Sequence, residues 1–487
     1  MTRVPNKETI CRLFIWTLVY LIPAYQAMLP IEDPDIWWHL RTGQWIVAQG
    51  HVPVEDPFSI FGAGKRWIAY SWLFEILVYG LHKYFGLTGL VGFTVTMSLL
   101  VAVTIHLLLR RARLPFVAEV LLLAVIFASL KPLLSPRPWL FTILFTAIEL
   151  ILIFILRRSW KLLPALILPL VFVLWANLHI QFVYGLAILG FLALESFLNR
   201  FARFGLPQSD NPALSVTRSL LLLGSCFLAT LVNPYHYRVY LAIFEYVTQS
   251  GAFQNISELH PMFFRSLADW LVLCLTLTGA FVLGWQRRWN VFYLALFVMA
   301  ACFAFRARRD VWFMALAVAA IVSEFASREK YSGYFDFTKE RVAAVILSLF
   351  LCLYGLGHIR DVSENSLAKA VELHFPAQAV KFIRSSQLPG PLYNSLDWGG
   401  YLIWSLPELP VAMDGRTNLH GDERIANSLA TWNGSTAWNK DPELLRARLI
   451  IAQTGKPLTH LIRGYARYRL VYEDNTAVVF VVDQSVL

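Results

Sequence analysis

Two carboxylates separated by a single proline follow the first apolar run of the chain. Asp33 and Asp35 lie in IEDPDIWWHLRTGQWIVAQGHVPVEDPFS, directly after a predicted membrane boundary. A carboxylate at the edge of an apolar slab can act as a general base, because burial and neighbouring charges tune its pKa. The pair could also share a divalent cation such as Mg²⁺ or Mn²⁺. The alternative interpretation is that Asp33 caps a helix that starts at Pro34.

Aromatic and basic side chains follow this acidic pair. Trp38, His39 and Arg41 are candidate contacts for a sugar substrate, because tryptophan faces could stack on sugar rings and polar groups could bind hydroxyls. The competing interpretation is that the tryptophans of this loop form an interfacial belt at the membrane surface.

Three arginines stand close together in the segment FRARRD, at Arg306, Arg308 and Arg309. The predicted topology places them at an external membrane edge, where the positive-inside rule gives no reason for them. Because the planar guanidinium fork suits phosphate oxygens, they are candidates for holding a lipid-linked phosphate. The alternative is snorkelling to ordinary anionic headgroups, with Asp310 as a paired charge.

Polar residues also mark the external end of the predicted fifth span, in WANLHIQF. Asn177 and His179 are candidate substrate contacts. Polar side chains at the edge of a span cost free energy, and this cost favours a functional interpretation. They could equally cross-link helices by hydrogen bonds. Arg137, in KPLLSPRP, is a further candidate, although headgroup contact is the favoured interpretation there.

The composition indicates that membrane helices position these residues. Of 487 residues, 57% are hydrophobic and only 15% are charged, whereas soluble proteins carry roughly 45–50% apolar and about 25% charged residues. A disordered chain, a coiled coil and a cytosolic nucleic-acid-binding protein are therefore excluded. The five cysteines lie in or beside apolar stretches and indicate neither a disulfide framework nor a CxxC metal site.

Apolar runs of spanning length, about 17–25 residues, continue along most of the first 360 positions. We predict about eleven spans, with the N-terminus inside, because the basic residues concentrate in the loops of one side. The net charge of +10 is thus mainly cytoplasmic-loop charge and indicates no nucleic-acid partner. The predicted spans cover residues 10–30, 88–109, 114–131, 138–156, 160–177, 182–198, 218–233, 268–286, 289–304, 310–326 and 341–359.

One apolar segment does not fit this count. Counting residues 70–86 as a span would invert every later loop, so we predict an interfacial helix there. The fold class is therefore a polytopic α-helical membrane protein of a bacterial-type inner or plasma membrane. The predicted domains are a transmembrane domain, 1–359, whose first external loop, 31–87, holds interfacial helices, and an extracytoplasmic soluble α/β domain, 360–487.

Local patterns in residues 360–487 predict helices and strands of ordinary length. Residues 367–386 have helical periodicity, and RYRLVYED and AVVFVV flank Asn475-Thr476 as a hairpin. Asp414-Gly415-Arg416 could bind a ligand, but a turn is the favoured interpretation.

Four features of the first hundred or so residues occur in a fixed order. They are an inside N-terminus, an external loop that opens with Asp33-Pro34-Asp35, an amphipathic stretch ending in WLFEILVYGLHKYFG, and a next span that closes on Arg110-Arg111. This order resembles the GT-C glycosyltransferases, among them protein O-mannosyltransferases and aminoarabinose transferases of lipid A. The Asp-Glu dipeptide that many members carry is absent here.

The resemblance implies a membrane enzyme that takes a sugar from a polyprenyl-phosphate donor and gives it to a glycan, lipid or protein acceptor on the external face. It implies that Asp33 or Asp35 is the base or a metal partner. We expect these acids and the arginines to surround a lipid-linked phosphate. The positive charge of the arginines would assist the departure of that phosphate.

Two alternatives belong to other classes of protein. A transporter or flippase of a lipid-linked intermediate should carry acidic or polar residues deep in several spans, and a non-catalytic envelope scaffold needs no reactive groups. The sequence has no P-loop, GxGxxG, HExxH or GxSxG motif, so an ATP-driven pump, a zinc protease and a serine hydrolase lack support. The residues nearest to the transporter pattern are Glu119, Glu149, Glu195 and His106.

Overall fold

The computed structural model describes residues 7–201, 214–249, 251, 256–286, 290–325, 342 and 360–483. Its residues form two compact units. Unit 1 comprises the described residues within Met1–Leu29, Gly92–Asn233 and Glu258–Arg360. Unit 2 comprises those within Pro30–Val91, Pro234–Ser257 and Asp361–Leu487.

Helices account for most of the chain up to residue 325. In chain order they are α1 (Lys7–Ala27), α2 (Ile36–Gln49), α3 (Trp72–Leu109), α4 (Phe116–Leu130), α5 (Trp139–Arg158), α6 (Leu162–Leu178), α7 (Phe182–Phe201), α8 (Val216–Thr230), α9 (Val239–Thr248), α10 (Leu267–Trp285), α11 (Val291–Arg306) and α12 (Val311–Phe325).

The described part of the chain contains six helices that are long and apolar enough to cross a membrane, namely α1, α3, α4, α5, α7 and α10. Shorter apolar helices are α6, α8 and α11. Every predicted span up to residue 326 coincides with a helix, which confirms a polytopic helical membrane protein. The number eleven stays a prediction, because the last predicted span, 341–359, lies outside the described residues apart from position 342.

Burial within unit 1 separates a central helix from lipid-facing ones. All residues of α12 are buried, and this helix packs against α10, α11 and α4. In contrast, α6 exposes leucines at intervals of one turn, which fits a face in contact with lipid because an aqueous surface rarely carries such an apolar stripe. These leucines are Leu162, Leu166, Leu170 and Leu174.

The predicted interfacial segment, residues 70–86, is continuous with the next predicted span except at one residue. Helix α3 is broken at Gly86, whose φ of 63° and ψ of −150° are not helical. The first amides after the break, those of Leu87 and Thr88, each donate to the Glu364 carboxylate at 3.0 Å. This carboxylate therefore caps the second half of α3 as it would cap a new helix, while the position of residues 70–86 in a membrane stays a prediction.

The C-terminal α/β part of unit 2, residues 361–483, contains a four-stranded sheet whose neighbouring strands are, in order, β1 (Leu392–Asn394), β2 (Leu449–Gln453), β4 (Ala477–Val482) and β3 (Tyr468–Glu473). β1 is parallel to β2, and the other neighbours are antiparallel. Its elements are α13 (Glu364–His374), α14 (Ala377–Ser385), β1 (Leu392–Asn394), α15 (Leu396–Ser405), α16 (Thr417–His420), α17 (Asp422–Trp432), α18 (Pro442–Arg446), β2 (Leu449–Gln453), α19 (Pro457–Arg463), β3 (Tyr468–Glu473) and β4 (Ala477–Val482).

Local predictions for this part are confirmed. The hairpin around Asn475-Thr476 is formed by β3 and β4, and residues 367–386 fold as α13 and α14. The core that holds the sheet together includes Tyr393, Trp432 and Phe480, all buried.

The contact-based units divide the chain differently from the predicted domains. The chain enters the C-terminal part at Asp361, close to the predicted boundary. The first external loop, however, packs within unit 2, whereas we predicted it as part of the domain 1–359. The physical reason is α2, because Trp37 lies edge-on to Phe375 and Tyr401, with ring centroids 5.6 and 5.2 Å apart.

Candidate functional site

The predicted carboxylates form a tight turn in unit 2, which we name the acidic turn (Asp33, Pro34 and Asp35). The Asp35 amide donates to Asp33 Oδ1 at 2.9 Å, and α2 begins at the next residue, Ile36. The helix therefore starts two positions after the predicted start, and Asp33 stabilises the turn before it rather than capping it. Both aspartates are only partly buried.

Two predicted substrate contacts lie inside unit 2 rather than on a surface. The rings of Trp38 and His39 are buried and lie 3.6 Å apart, centroid to centroid. His39 Nδ1 is 3.2 Å from the buried Glu75 carboxylate of α3. Arg41 is half-buried and donates to Gln44 on the same helix. The contact of His39 with Glu75 therefore holds α2 against α3, whereas the Arg41 bond stays within α2.

Two glycines of the C-terminal part lie against the acidic turn, and we name them the glycine notch (Gly400 and Gly415). A Cβ atom on Gly400 would overlap the carbonyl oxygen of Pro34. A Cβ atom on Gly415 would overlap Oδ1 of Asp35. Only glycine permits such close approach, so the place of the acidic turn depends on both positions, and that of the Asp35 carboxylate depends on Gly415.

A buried ion cluster flanks the glycine notch and consists of Asp56, Asp414, Arg416 and His420. The Arg416 guanidinium donates from Nε and Nη2 to the two carboxylate oxygens of Asp414, both at 2.8 Å, and from Nη1 to Asp56 at 2.5 Å. His420 Nε2 lies 3.1 Å from the Asp414 carboxylate. The Arg416 charge also lies over the Trp67 ring, 4.7 Å from its centroid.

The charges in this cluster are stabilised by their partners despite burial. Burial by itself raises the pKa of Asp414, but Arg416 and His420 outweigh it and hold that pKa well below its usual value. Burial lowers the pKa of Arg416, but Asp414 and Asp56 outweigh it and raise that pKa. All four groups are buried, so the cluster is a fixed structural element.

The predicted turn at Asp414-Gly415 is present, since the Arg416 amide donates to Asp414 Oδ1 at 2.9 Å. The pairing with Asp56 was not predicted. Asp56 stood among the acids of the first loop, yet nothing in a sequence pattern connects it with a residue 360 positions away.

The predicted phosphate-binding arginines belong to unit 1. Arg306 ends α11 and is exposed, while Arg308 and Arg309 lie half-buried in the turn before α12. Arg308 Nε is 3.8 Å from Asp269, and Arg309 Nη1 is 3.6 Å from Glu258. These two separations are longer than hydrogen bonds.

The same end of the helices carries the polar residues of WANLHIQF. Gln181 Nε2 donates to Asp310 at 3.3 Å, which joins the turn before α7 to the turn before α12. Burial lowers the pKa of His179, and the charges of Arg309 and Arg137 lower it further. The structure thus brings two predicted constellations together. We name the group the cationic edge; its members are Arg137, His179, Gln181, Arg306, Arg308, Arg309 and Asp310.

Two members of these constellations have structural contacts. Asn177 donates to the carbonyl oxygens of Val173 and Val232 at 2.7 and 2.8 Å, which fits the alternative of a helix cross-link. His179 Nδ1 lies 2.7 Å from the hydroxyl of Thr142 in α5. Asp310 is buried, which raises its pKa to about 6 although Arg309 opposes the shift.

The acids considered for a transporter are mostly in pairs. Glu119 lies 3.3 Å from His106, and Glu195 lies 2.8 Å from Arg157. Glu149 is buried next to Gly185 of α7. Paired charges of this kind link helices, and they do not by themselves form a path for a charged cargo.

The acidic turn provides few ligands for a metal ion. Among the residues that the structure describes, no group of three or more His, Cys, Asp or Glu side chains could hold a metal ion. Asp33 and Asp35 alone offer two carboxylates, and one oxygen of Asp33 already accepts the Asp35 amide. A divalent cation held by these two carboxylates together with phosphate oxygens of a substrate therefore stays a prediction, and we derive no catalytic step through a metal.

Sequence comparisons give no match. No protein-family model matches the chain, and no curated protein matches it.

Solved structures do match the fold. The oligosaccharyltransferase of Archaeoglobus fulgidus in its apo form has a TM-score of 0.57 at 13% identity, over 97% of this chain and 74% of the archaeal chain. Archaeal AglB with an inhibitory peptide and a dolichol-phosphate also gives 0.57 at 13% identity, over 98% and 74%. ArnT from Cupriavidus metallidurans bound to undecaprenyl phosphate gives 0.51 at 13% identity, over 97% and 98%. The resemblance is thereby confirmed at the level of the fold, since this chain shares the fold of the archaeal oligosaccharyltransferase and of ArnT.

Proposed function

We propose that this protein is a membrane glycosyltransferase that moves a glycosyl unit from a polyprenyl-phosphate donor to an acceptor on the extracytoplasmic face. The observation that carries the proposal is the acidic turn, with two partly buried carboxylates directly before α2 in a chain of this fold. The neighbours ArnT and AglB, with undecaprenyl phosphate and dolichol-phosphate respectively, support a polyprenyl-phosphate donor.

The reaction needs a base, and unit 2 supplies it. Asp33 or Asp35 accepts the proton of the acceptor hydroxyl, and the acceptor oxygen attacks the anomeric carbon of the sugar. The bond from that carbon to the phosphate oxygen breaks, and polyprenyl phosphate leaves with the electron pair. A general base contributes roughly 10²–10⁴-fold to such a rate.

The reaction also needs positive charge for the departing phosphate, and unit 1 supplies it in the cationic edge. Arg308 and Arg309 lie 3.8 Å from Asp269 and 3.6 Å from Glu258, respectively, and charge-assisted contacts of a guanidinium with phosphate are shorter than these separations. Fixed positive charge that faces developing negative charge is often the largest catalytic contribution.

Turnover is tested with purified protein in lipid nanodiscs, and transport of the donor is tested with the same protein in lipid vesicles. The donors are undecaprenyl phosphates that each carry one radiolabelled sugar, and the acceptors are a detergent extract of membrane lipids and glycans. Wild-type protein should form a new labelled glycoside. Asp33→Asn and Asp35→Asn are tested separately, and Glu423→Gln serves as the matched control, because it removes a carboxylate from an exposed position of unit 2.

We expect at least one aspartate variant to lose product formation by a factor of about 10² or more, with Glu423→Gln active as wild type. Folded, fully active Asp33→Asn and Asp35→Asn variants would contradict the assignment of the base. If the wild-type protein instead moved intact labelled lipid across a vesicle membrane without cleavage, a flippase would replace the proposal.

A further inference from the structure

We propose that Arg416 is a positioning residue for the acidic turn, acting through Asp414 and Gly415 on the Asp35 carboxylate. This inference rests on the proposed function for its catalytic consequence. It assigns to the C-terminal α/β part the task of building the catalytic turn.

The first step is the immobility of Arg416. Its guanidinium donates to both oxygens of Asp414 and to Asp56, and it is buried against the face of the Trp67 ring. All three guanidinium nitrogens of Arg416 donate to the two carboxylates, and the single ammonium group of a lysine could not reproduce these contacts. The side chain cannot reach a substrate, so its contribution must pass through other residues.

The second step is the transfer of this rigidity to Gly415. The residue lies between two members of the ion cluster, Asp414 and Arg416, and the Arg416 amide is also bonded to the Asp414 carboxylate. Both neighbours of Gly415 are therefore fixed. The Gly415 backbone lies directly against Oδ1 of Asp35. The ion cluster therefore fixes the backbone segment that restricts the position of the Asp35 carboxylate.

The third step is the contact on the other side of the turn. Helix α15 packs against α2, and its paired glycines face in two directions. A Cβ on Gly399 would overlap the backbone at Met413 and Asp414, while a Cβ on Gly400 would overlap Pro34. α15 therefore sets the spacing between the acidic turn and the segment that carries the ion cluster.

The consequence is a defined orientation of Asp35 relative to the α2 start. A displacement of the order of 1 Å in a catalytic group can reduce a rate about 10²-fold. A small change at Gly415 or Arg416 should thus reduce kcat without a comparable change in donor KM, because the cationic edge is left intact.

The test compares Gly415→Ala and Arg416→Lys with matched controls in full-length protein. Gly455→Ala is the glycine control, since nothing lies within 4 Å of the added Cβ. Arg463→Lys is the arginine control, since that side chain forms an exposed pair with Glu473. Hydrogen exchange of the peptide covering residues 33–40 reports positioning independently of activity, and kcat and donor KM report the catalytic consequence.

We expect faster exchange at residues 33–40 in Gly415→Ala and Arg416→Lys, and no change in either control. We also expect kcat to fall at least tenfold with donor KM within a factor of about two, and no further loss when Gly415→Ala is added to Asp35→Asn. Unchanged exchange and kcat in Gly415→Ala would overturn the inference even if Arg416→Lys failed to fold. If exchange is faster in Gly415→Ala and Arg416→Lys but the wild-type protein has no transferase activity, the proposed function alone is refuted.

Discussion

The Asp56 carboxylate and the Arg416 guanidinium lie 2.5 Å apart although 360 positions separate them in the chain. Asp56 belongs to the first external loop, and Arg416 belongs to the C-terminal part. The pair is buried, so each charge depends on the other for its stability. Unit 2 is therefore one folded body made from distant segments of the chain.

Replacing Arg416 by methionine should destabilise the protein strongly. The variant leaves the carboxylates of Asp56 and Asp414 buried without their cation, and breaking a buried ion pair in this way costs about 3–5 kcal/mol. The midpoint of thermal unfolding in detergent measures the effect. Arg463→Met, at an exposed pair, should leave the midpoint unchanged, and Arg416→Met with an equally unchanged midpoint would show that the cluster is not stabilising.

Replacing Asp414 by asparagine should remove an acid-sensitive part of the stability. The folded-state pKa of Asp414 lies well below the usual value of 3.8. Such a group stabilises the fold above the unfolded-state pKa and loses this contribution as the pH falls through the folded-state pKa. The difference in unfolding midpoint between wild type and Asp414→Asn should be constant from about pH 7 to pH 5 and shrink below about pH 4. A difference that stays constant to pH 3 would contradict this assignment.

Asp310 should show the opposite pH dependence. Its folded-state pKa is raised to about 6, so its contribution to stability is complete below the unfolded-state value and is lost as the pH rises through 6. Asp310→Asn keeps an oxygen that can accept from Gln181 but cannot ionise. The unfolding midpoint of wild type relative to this variant should therefore fall between about pH 4 and pH 7. A pH-independent difference would show that Asp310 ionises normally.

The sequence predicted much of this fold because the relevant signals are local. Apolar runs marked the spans, and the polar pair Asn475-Thr476 between two strand-like runs marked the β3–β4 hairpin. The acidic turn was found because its residues are adjacent. The alternative interpretation, in which Asp33 caps a helix that starts at Pro34, implied that Asp33 accepts the Asp35 amide; that bond is present, but the helix begins two positions later, at Ile36.

The support of the acidic turn could not be predicted in the same way. Contacts such as Gly415 with Asp35 and Arg416 with Asp56 depend on packing between segments that are distant in sequence. Asp414-Gly415 has the composition of an ordinary turn, and a turn pattern does not indicate which partner the aspartate will bind. His39 was likewise predicted as a substrate contact, because its burial against Phe74 and Glu75 arises only on folding.

Neutralising Arg309 should weaken donor binding more than neutralising a nearby exposed arginine. Loss of a charge-assisted contact to phosphate is worth about 1.5–3 kcal/mol, so Arg309→Gln should raise the donor KM about tenfold or more. Arg265→Gln is the matched control, because Arg265 is an exposed arginine in unit 1. Glu258→Gln removes the carboxylate that competes for Arg309 and should lower the donor KM. Equal effects of Arg309→Gln and Arg265→Gln would indicate general attraction to headgroups.

The most direct measurement is the mass balance of a single turnover with enzyme in excess over labelled undecaprenyl-phosphate sugar. Mass spectrometry should find one molecule of free undecaprenyl phosphate for each molecule of glycosylated acceptor in wild type, and neither product when the catalytic aspartate, Asp33 or Asp35, is replaced by asparagine. Two results would contradict glycosyl transfer by the acidic turn. One is that the wild-type protein leaves the donor intact, and the other is that Asp33→Asn and Asp35→Asn each form both products in the same amounts as the wild type.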